Sequence, residues 1–292
     1  MKRVLILGAT GMLGSALYDV LKDKYNLLLS TRDTNKISLL EKKYGLLRKS
    51  EVVEFDADIL YKEYLGKKGS PSKYLTSFVD KIGNIDYVIN ALGVTIPFSL
   101  QNPALTFFIN GALPHILAGV FGEKLIHITT DCAYNGKEGF PYTENSSKSP
   151  VDIYGLSKSL GEPTSCLTLR TSIIGRELEG FTGFLEWFLQ QEGKELTGFA
   201  EHFWNGVTTR EFAKICDKIM SNSDEYPKTG IYHIFSDTVS KYEMLQKFKE
   251  KFKINCIIKE DHKNKLNRTL STIHHVNSRL EILSFDKMIK EL

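Results

Sequence analysis

Tyr154 and Lys158, four residues apart in Tyr-Gly-Leu-Ser-Lys, share one face if that segment is helical, so a phenol and an ammonium address one small volume. Such a pair can move a proton. Far upstream, Gly8-Ala-Thr-Gly11-Met-Leu-Gly14 has the spacing of a turn that holds a dinucleotide. Gly8 makes the tight turn out of a strand, Gly11 lets the backbone approach a pyrophosphate, and Gly14 lets the next helix pack close, its first amides meeting the anion. A glycine triplet alone also serves as a plain structural turn. Here it stands between a strand signal and a helix signal, as the mechanism requires. Proton donor and dinucleotide turn together suggest that the proton accompanies a hydride.

The second strand bears on which dinucleotide binds. An acidic residue is expected roughly 20 residues after the glycines if a ribose diol is held. The strand ends instead in Leu29-Ser30-Thr31-Arg32. Arg32 can pair with a 2′-phosphate, and Ser30 and Thr31 would not repel it. Asp33 is the counter-signal, since a small backbone shift would present a carboxylate, and Arg32 also reads as a solvated loop residue. NADPH is favoured, with NADH the alternative.

These residues need a scaffold. Val4–Leu7, Leu27–Leu29, Val52–Phe55, Tyr87–Asn90 and Leu125–Thr129 are short apolar runs, separated by segments able to form helices, Met12–Leu21 among them. The alternation predicts an α/β fold, a doubly wound parallel sheet covered on both faces. Lys62–Ser77, rich in Lys, Gly and Ser, is the least patterned stretch and reads as surface. Further on, Leu167–Arg170 and Ile231–Phe235 read as strands, and Thr208–Met220 and Lys241–Phe252 as helices. We expect a dinucleotide-binding Rossmann domain over 1–174 with a return to the sheet around 206–237, and a smaller mixed substrate lobe in 175–205 and 238–292.

Composition narrows the class. With 292 residues and 42% hydrophobic content the chain can bury a large core. No run approaches the roughly 20 apolar residues of a membrane span, and the apolar start is too short for a signal peptide and ends in glycines. A cytoplasmic protein with no membrane partner is expected. Cys132, Cys166, Cys216 and Cys256 are too dispersed for a ligand cluster and read as reduced thiols. A net charge of +3, from 38 basic and 35 acidic residues, is too balanced to argue for nucleic acid. The adjacent His274 and His275 diverge on any regular element, and no catalytic metal is expected.

Several motifs now fall in one order: the glycine turn, Asn90-Ala-Leu-Gly93, Thr129-Thr-Asp-Cys-Ala-Tyr-Asn-Gly136, Pro141-Tyr-Thr-Glu144, Tyr154-Gly-Leu-Ser-Lys158 and Leu169-Arg-Thr-Ser172. The chain resembles the extended short-chain dehydrogenases, and most of all their dTDP-4-dehydrorhamnose reductase-like branch, which reduces 4-keto sugars carried on nucleoside diphosphates. The motifs span about the first 175 residues. Beyond them Gly230-Ile-Tyr-His-Ile-Phe-Ser and Arg268-Thr-Leu match more loosely.

The resemblance implies a catalytic set of Thr130, Tyr154 and Lys158. Ketone reduction asks for those types independently, because charge builds on the oxygen as hydride arrives. Tyr154 would donate the proton, Lys158 would lower the phenol's pKa and hold the nicotinamide ribose, and Thr130 would hydrogen-bond the carbonyl. The cofactor contacts implied are Gly8, Thr10, Gly11, Met12, Leu13, Gly14, Arg32, Asp58, Ile59, Asn90, Ala91, Tyr154 and Lys158. Asn110 would support the lysine; Asn90 and Asn110 also read as turn or cap residues.

Sugar-nucleotide dehydratases of the superfamily follow this threonine with Asp-Glu, whereas here Asp131-Cys132 follows, so elimination lacks its usual base. The reductase branch commonly has Tyr where Cys132 stands, which puts the substrate in doubt; Cys132 reads equally as a small buried hydrophobe. Trp187, His202, Phe203, Trp204, Asn205 and Gly206 are candidates for nucleobase contacts, and Arg176, Arg210, Arg268 and Arg279 for a diphosphate, although core aromatics and solvated arginines look the same. The expected activity is NADPH-dependent reduction of a nucleotide-activated 4-keto-6-deoxy sugar for a surface polysaccharide or glycoconjugate. A non-catalytic NADP-binding regulatory subunit and a sugar-nucleotide epimerase stay open. The expected partner is the nucleoside-diphosphate sugar, and a homodimer is compatible with the reading.

Overall fold

The computed structural model describes residues 1–45, 50–66 and 72–292. Seven strands form one parallel sheet: β1 (Arg3–Leu7), β2 (Asn26–Thr31), β3 (Ser50–Glu54), β4 (Tyr87–Asn90), β5 (Leu125–Thr130), β6 (Leu167–Thr171) and β7 (Gly230–His233). Their spatial order is β7-β6-β5-β4-β1-β2-β3. This is the doubly wound Rossmann arrangement, and the order reverses between β1 and β4. That reversal opens a crevice at the carboxyl ends of those two strands.

The strands were legible because both sheet faces are covered. In β1, Val4 and Ile6 enter one core cluster with Leu13 and Leu17 of the helix Met12–Leu21 and Phe212 of the helix Thr209–Ser221. Leu5 and Leu7 enter the other, with Phe78, Leu113 and Leu117. All four strand side chains are fully buried, each contributing about 2 kcal/mol of apolar transfer. A strand buried on both sides reads as an unbroken apolar run.

Smaller mixed sheets complete the fold. His202–Trp204 pairs antiparallel with Val239–Ser240 and parallel with Leu266–Asn267, and Glu195–Phe199 pairs with Ile257–Asp261.

Two expectations need correction. Lys62–Ser77 is not featureless, because it overlaps the helices Ala57–Gly66 and Lys73–Ile82. Ser72 Oγ caps the second of these by accepting from Leu75 N (2.9 Å), and Leu75, Phe78 and Ile82 are buried; 67–71, which also belong to that stretch, lie outside the described residues. One helical run, Pro103–Lys124, is long and apolar enough to cross a membrane by length and composition, against the expectation that no segment approaches this. Its apolarity has a local cause: half of it is buried, with Leu113 and Leu117 packed into the second core cluster.

Candidate active site

The glycine turn follows β1 directly. Gly8 takes φ +79°, and a Cβ there would stand 3.0 Å from Leu92 Cδ2 and 3.3 Å from Ala91 O, so the turn abuts the segment leaving β4. At Gly14 a Cβ would come within 2.0 Å of Gly8 O, a separation no side chain tolerates. Gly11 is the N-cap of the helix Met12–Leu21, with no side-chain cap and no acidic residue in the first turn. The amides at Met12 and Leu13 therefore begin a helix whose positive end has no internal anion. Thr10 Oγ1 lies 3.4 Å from Thr31 Oγ1, tying the turn to the end of β2.

Arg32 is exposed and makes no hydrogen bond or ion pair among the described residues. Asp33, the competing carboxylate, is engaged: its Oδ1 accepts from Asn35 N (3.0 Å), capping the next turn. Asp58 and Ile59 follow β3 in the first turn of the helix Ala57–Gly66, Asp58 paired to Lys62 (2.6 Å) and Ile59 exposed. Asn90 ends β4, buried, its Nδ2 donating to His127 Nδ1 (3.1 Å) and its Oδ1 accepting from Leu92 N (3.2 Å), with Ala91 between.

Tyr154 and Lys158 lie on the helix Ile153–Leu160, capped by Asp152, whose Oδ1 accepts from Gly155 N (2.7 Å). Gly155 is there for proximity, since a Cβ would stand 2.3 Å from Cys132 O. That contact presses the helix against the turn following Thr130, the last residue of β5. Thr130 Oγ1 donates to Asp131 Oδ1 (3.2 Å) and accepts from Cys132 N (3.2 Å).

Burial pushes the Tyr154 phenol well above its ordinary range, nearby Cys132 and Asp131 push the same way, and a hydrogen bond with Thr130 opposes them. Lys158 Nζ donates to Ile128 O (2.8 Å); burial lowers the ammonium to about 8, with Glu162 the opposing charge. The expected lowering of the phenol by Lys158 is thus not the arrangement present, because the ammonium is turned to a backbone carbonyl. Asn110 does not bond Lys158 either. Its amide is filled by Val94 N (2.8 Å), Val94 O (3.0 Å) and Ser157 Oγ (3.1 Å).

The structure sorts the substrate candidates. Arg210 pairs with Asp19, Arg176 with Glu186, and Arg279 with Glu225 O. Asn205 pins Leu270 through both backbone atoms, and Gly206 fits under Ser172 O. Trp187 is 40% exposed on a helix, and Trp204 is buried beside His202 and Phe203 on a strand. Arg268 alone of the four arginines reaches the catalytic turn, its Nη1 3.5 Å from Cys132 Sγ while its buried Nε has no partner. Burial, then Asp131, push the Cys132 thiol up to about 12, so it is a neutral thiol and no nucleophile.

Sequence reasoning missed Lys241. It opens the helix Lys241–Phe252 directly after the strand Val239–Ser240, while Arg268 directly follows Leu266–Asn267 of the same sheet; its Nζ lies 4.4 Å from the Phe184 ring centroid and is lowered by burial to about 8, with Asp131 and Cys132 opposing. Only the pairing of three short, distant strands brings it here.

A model of the RmlD substrate-binding domain matches residues 71–274, more than half of the chain. The chain belongs to that family. A relative of this RmlD-family protein is the spore coat polysaccharide biosynthesis protein SpsK of Bacillus subtilis, 33% identical over 119 residues, 39% of this chain and 40% of SpsK. The match thus spans well under half of that relative's length. A hypothetical dTDP-4-dehydrorhamnose reductase from Sulfolobus tokodaii is 25% identical, with a TM-score of 0.69 over 97% of this chain and 96% of its own. The dTDP-4-dehydrorhamnose reductase of Bacillus anthracis, solved in complex with NADP, is 18% identical and shares the fold at a TM-score of 0.69 over 100% and 98% of the two chains.

Proposed function

We propose that this RmlD-family protein is an NADPH-dependent reductase of the 4-keto group of a nucleotide-activated 4-keto-6-deoxy sugar, serving glycan synthesis. One observation carries the reading: the close approach of Gly155 to Cys132 O sets the helix of Tyr154 and Lys158 against the turn that follows Thr130, at the carboxyl end of the sheet where the glycine turn and Asn90 also lie. The names of SpsK and of the reductases with this fold support it. In this reading the substrate lobe is 175–205 and 238–292, packed against a Rossmann domain of 1–174 with its return at 206–237.

The chain's own groups fit the cofactor. The open helix N-terminus at Gly11 would hold the pyrophosphate, Arg32 the 2′-phosphate, and Lys158, whose Nζ here donates to Ile128 O, the nicotinamide ribose. The nicotinamide, when bound, supplies hydride. Tyr154 gives its proton to the carbonyl oxygen, Thr130 donates a hydrogen bond to that oxygen, and burial keeps the phenol a full acid until the charge develops. Arg268, Lys241 and Cys132 face the sugar nucleotide. NADPH oxidation followed against a panel of nucleotide 4-keto sugars tests the reading; binding of NADPH with no turnover of any sugar would point to a regulatory subunit.

A pH effect follows from Lys158. Above about pH 8 the free protein carries a neutral amine there, and an anionic dinucleotide beside it restores the ammonium. Cofactor binding should therefore take up about one proton near pH 9 and almost none near pH 7, with affinity falling as pH rises through 8. Calorimetry in buffers of different ionisation enthalpy measures the uptake, and equal proton counts at both pH values would contradict it.

Cys132 sets the reaction type. A neutral thiol cannot take the proton whose loss begins dehydration. Incubated with NAD and dTDP-, UDP-, GDP- or CDP-hexoses, the protein should release no water by mass spectrometry; a product lighter by one water would overturn this reading of Cys132.

A further inference from the structure

Glu162 lies just past the helix that carries Lys158, and its side chain is 1% exposed. Its two oxygens are fully engaged. Oε1 accepts from Arg170 Nε (2.9 Å) and Thr129 Oγ1 (3.0 Å), and Oε2 accepts from Arg170 Nη2 (2.6 Å) and pairs with Lys148. The Thr129 hydroxyl also lies 3.3 Å from Lys158 O. Thr129 is the neighbour of Thr130 on β5, and successive strand residues point to opposite faces. One hydroxyl, its single proton shared between two acceptors and closer to the carboxylate, therefore sits where β5, the backbone of Lys158 and Glu162 meet.

The carboxylate is itself held from the far side. Arg170 Nη1 donates to His233 Nε2 (2.7 Å) and to Tyr134 Oη (2.6 Å). A guanidinium has no acceptor, so His233 accepts at Nε2 and carries its proton on Nδ1, which donates to Ser271 O (2.7 Å). Burial would raise Glu162, but Arg170 and Lys148 more than offset this and keep it ionised.

We propose that Glu162 is a positioning residue for Lys158: held by Arg170 and Lys148, it accepts from Thr129 Oγ1, the hydroxyl that also lies against Lys158 O, and so sets the helix that carries Lys158 against β5. No activity described above requires this residue by itself, and its part in turnover rests on the reductase reading. The groups that face Lys158 are Tyr154 on its own helix, His127 and Ile128 O on β5, and Asn110 and Gly93 across the crevice. Those facing Glu162 are Arg170, Lys148, Thr129 and Tyr134, with His233 and Glu144 behind Arg170. Among the described residues Glu162 is the anion that opposes the fall of the Lys158 ammonium.

The test is an NMR titration of the Lys158 side-chain resonance in the cofactor-free protein, assigned by its loss in Lys158→Met, alongside NADPH affinity against pH. In Glu162→Gln the Lys158 midpoint should fall by about one unit or more, and the loss of NADPH affinity on the basic side should move down with it. Glu162→Asp retains the charge and should restore most of the midpoint. Thr129→Val removes the tether alone; the midpoint should stay while NADPH affinity weakens severalfold. If Glu162→Gln does not fold, the Asp and Val variants carry the test, and the proposal is overturned if Asp lowers the midpoint as far as one unit or Val leaves affinity untouched. A folded Glu162→Gln with an unmoved Lys158 midpoint also overturns it. The titration needs no substrate, so a moved midpoint in a protein that reduces no sugar would count against the reductase reading and not against Glu162.

Discussion

Tyr154→Phe should fold as the unmodified protein does, bind NADPH with little change and reduce a nucleotide 4-keto sugar at least about a hundredfold more slowly. The substitution deletes one oxygen from a half-buried ring. The lost factor is the lower scale of a missing general acid. The capped helix, the contact of Gly155 with Cys132 O and the hydrogen bond from Lys158 to Ile128 O do not involve that oxygen. Lys158→Met should instead weaken cofactor binding and turnover together, because one ammonium serves both. Comparing kcat with NADPH affinity in the two variants separates the roles, and undiminished turnover by Tyr154→Phe would remove the phenol from the chemistry.

Arg32 should decide between the two dinucleotides. NADPH should bind more tightly than NADH, and Arg32→Ala should erase most of the difference. A charge-assisted contact with phosphate is worth roughly 1.5–3 kcal/mol, and an exposed guanidinium sits at the lower end because solvent and salt screen it. The ratio of the two dissociation constants should thus collapse by about tenfold, chiefly through loss of NADPH affinity. Asp33 strengthens the expectation, since its Oδ1 caps Asn35 N and that bond holds the carboxylate to the turn that follows β2. Calorimetry with both cofactors measures this. Equal affinities in the unmodified protein would contradict it.

Much of the sheet was readable because its strands are buried on both faces, so β1 appears as an unbroken apolar run and β4, β5 and β6 as short runs with apolar residues on both faces. The glycine turn and the Tyr/Lys spacing were readable because each depends on neighbours a few residues away. The substrate side was not. Arg176, Arg210, Arg268 and Arg279 look alike in sequence, and what separates them is a distant partner: Glu186, Asp19, Cys132 or Glu225 O. His202–Trp204 read as an aromatic cluster because a three-residue strand has too few positions to show alternation. Lys241 became visible only once that strand was paired. Glu162 had a local signal, four residues beyond Lys158, but its weight lies in Arg170 and Thr129, which only the sheet brings beside it.

The most direct measurement is transfer of deuterium from NADPH labelled at the hydride-donating position of the nicotinamide into a nucleotide 4-keto sugar. If the protein is a reductase, the product is a nucleotide sugar with a hydroxyl at C4, heavier by one deuterium at that carbon, formed in equal amount to the NADP released. Turnover that isomerises the sugar without retaining label or consuming NADPH would make the protein an epimerase, and bound NADPH that transfers no label to any nucleotide 4-keto sugar would contradict the account.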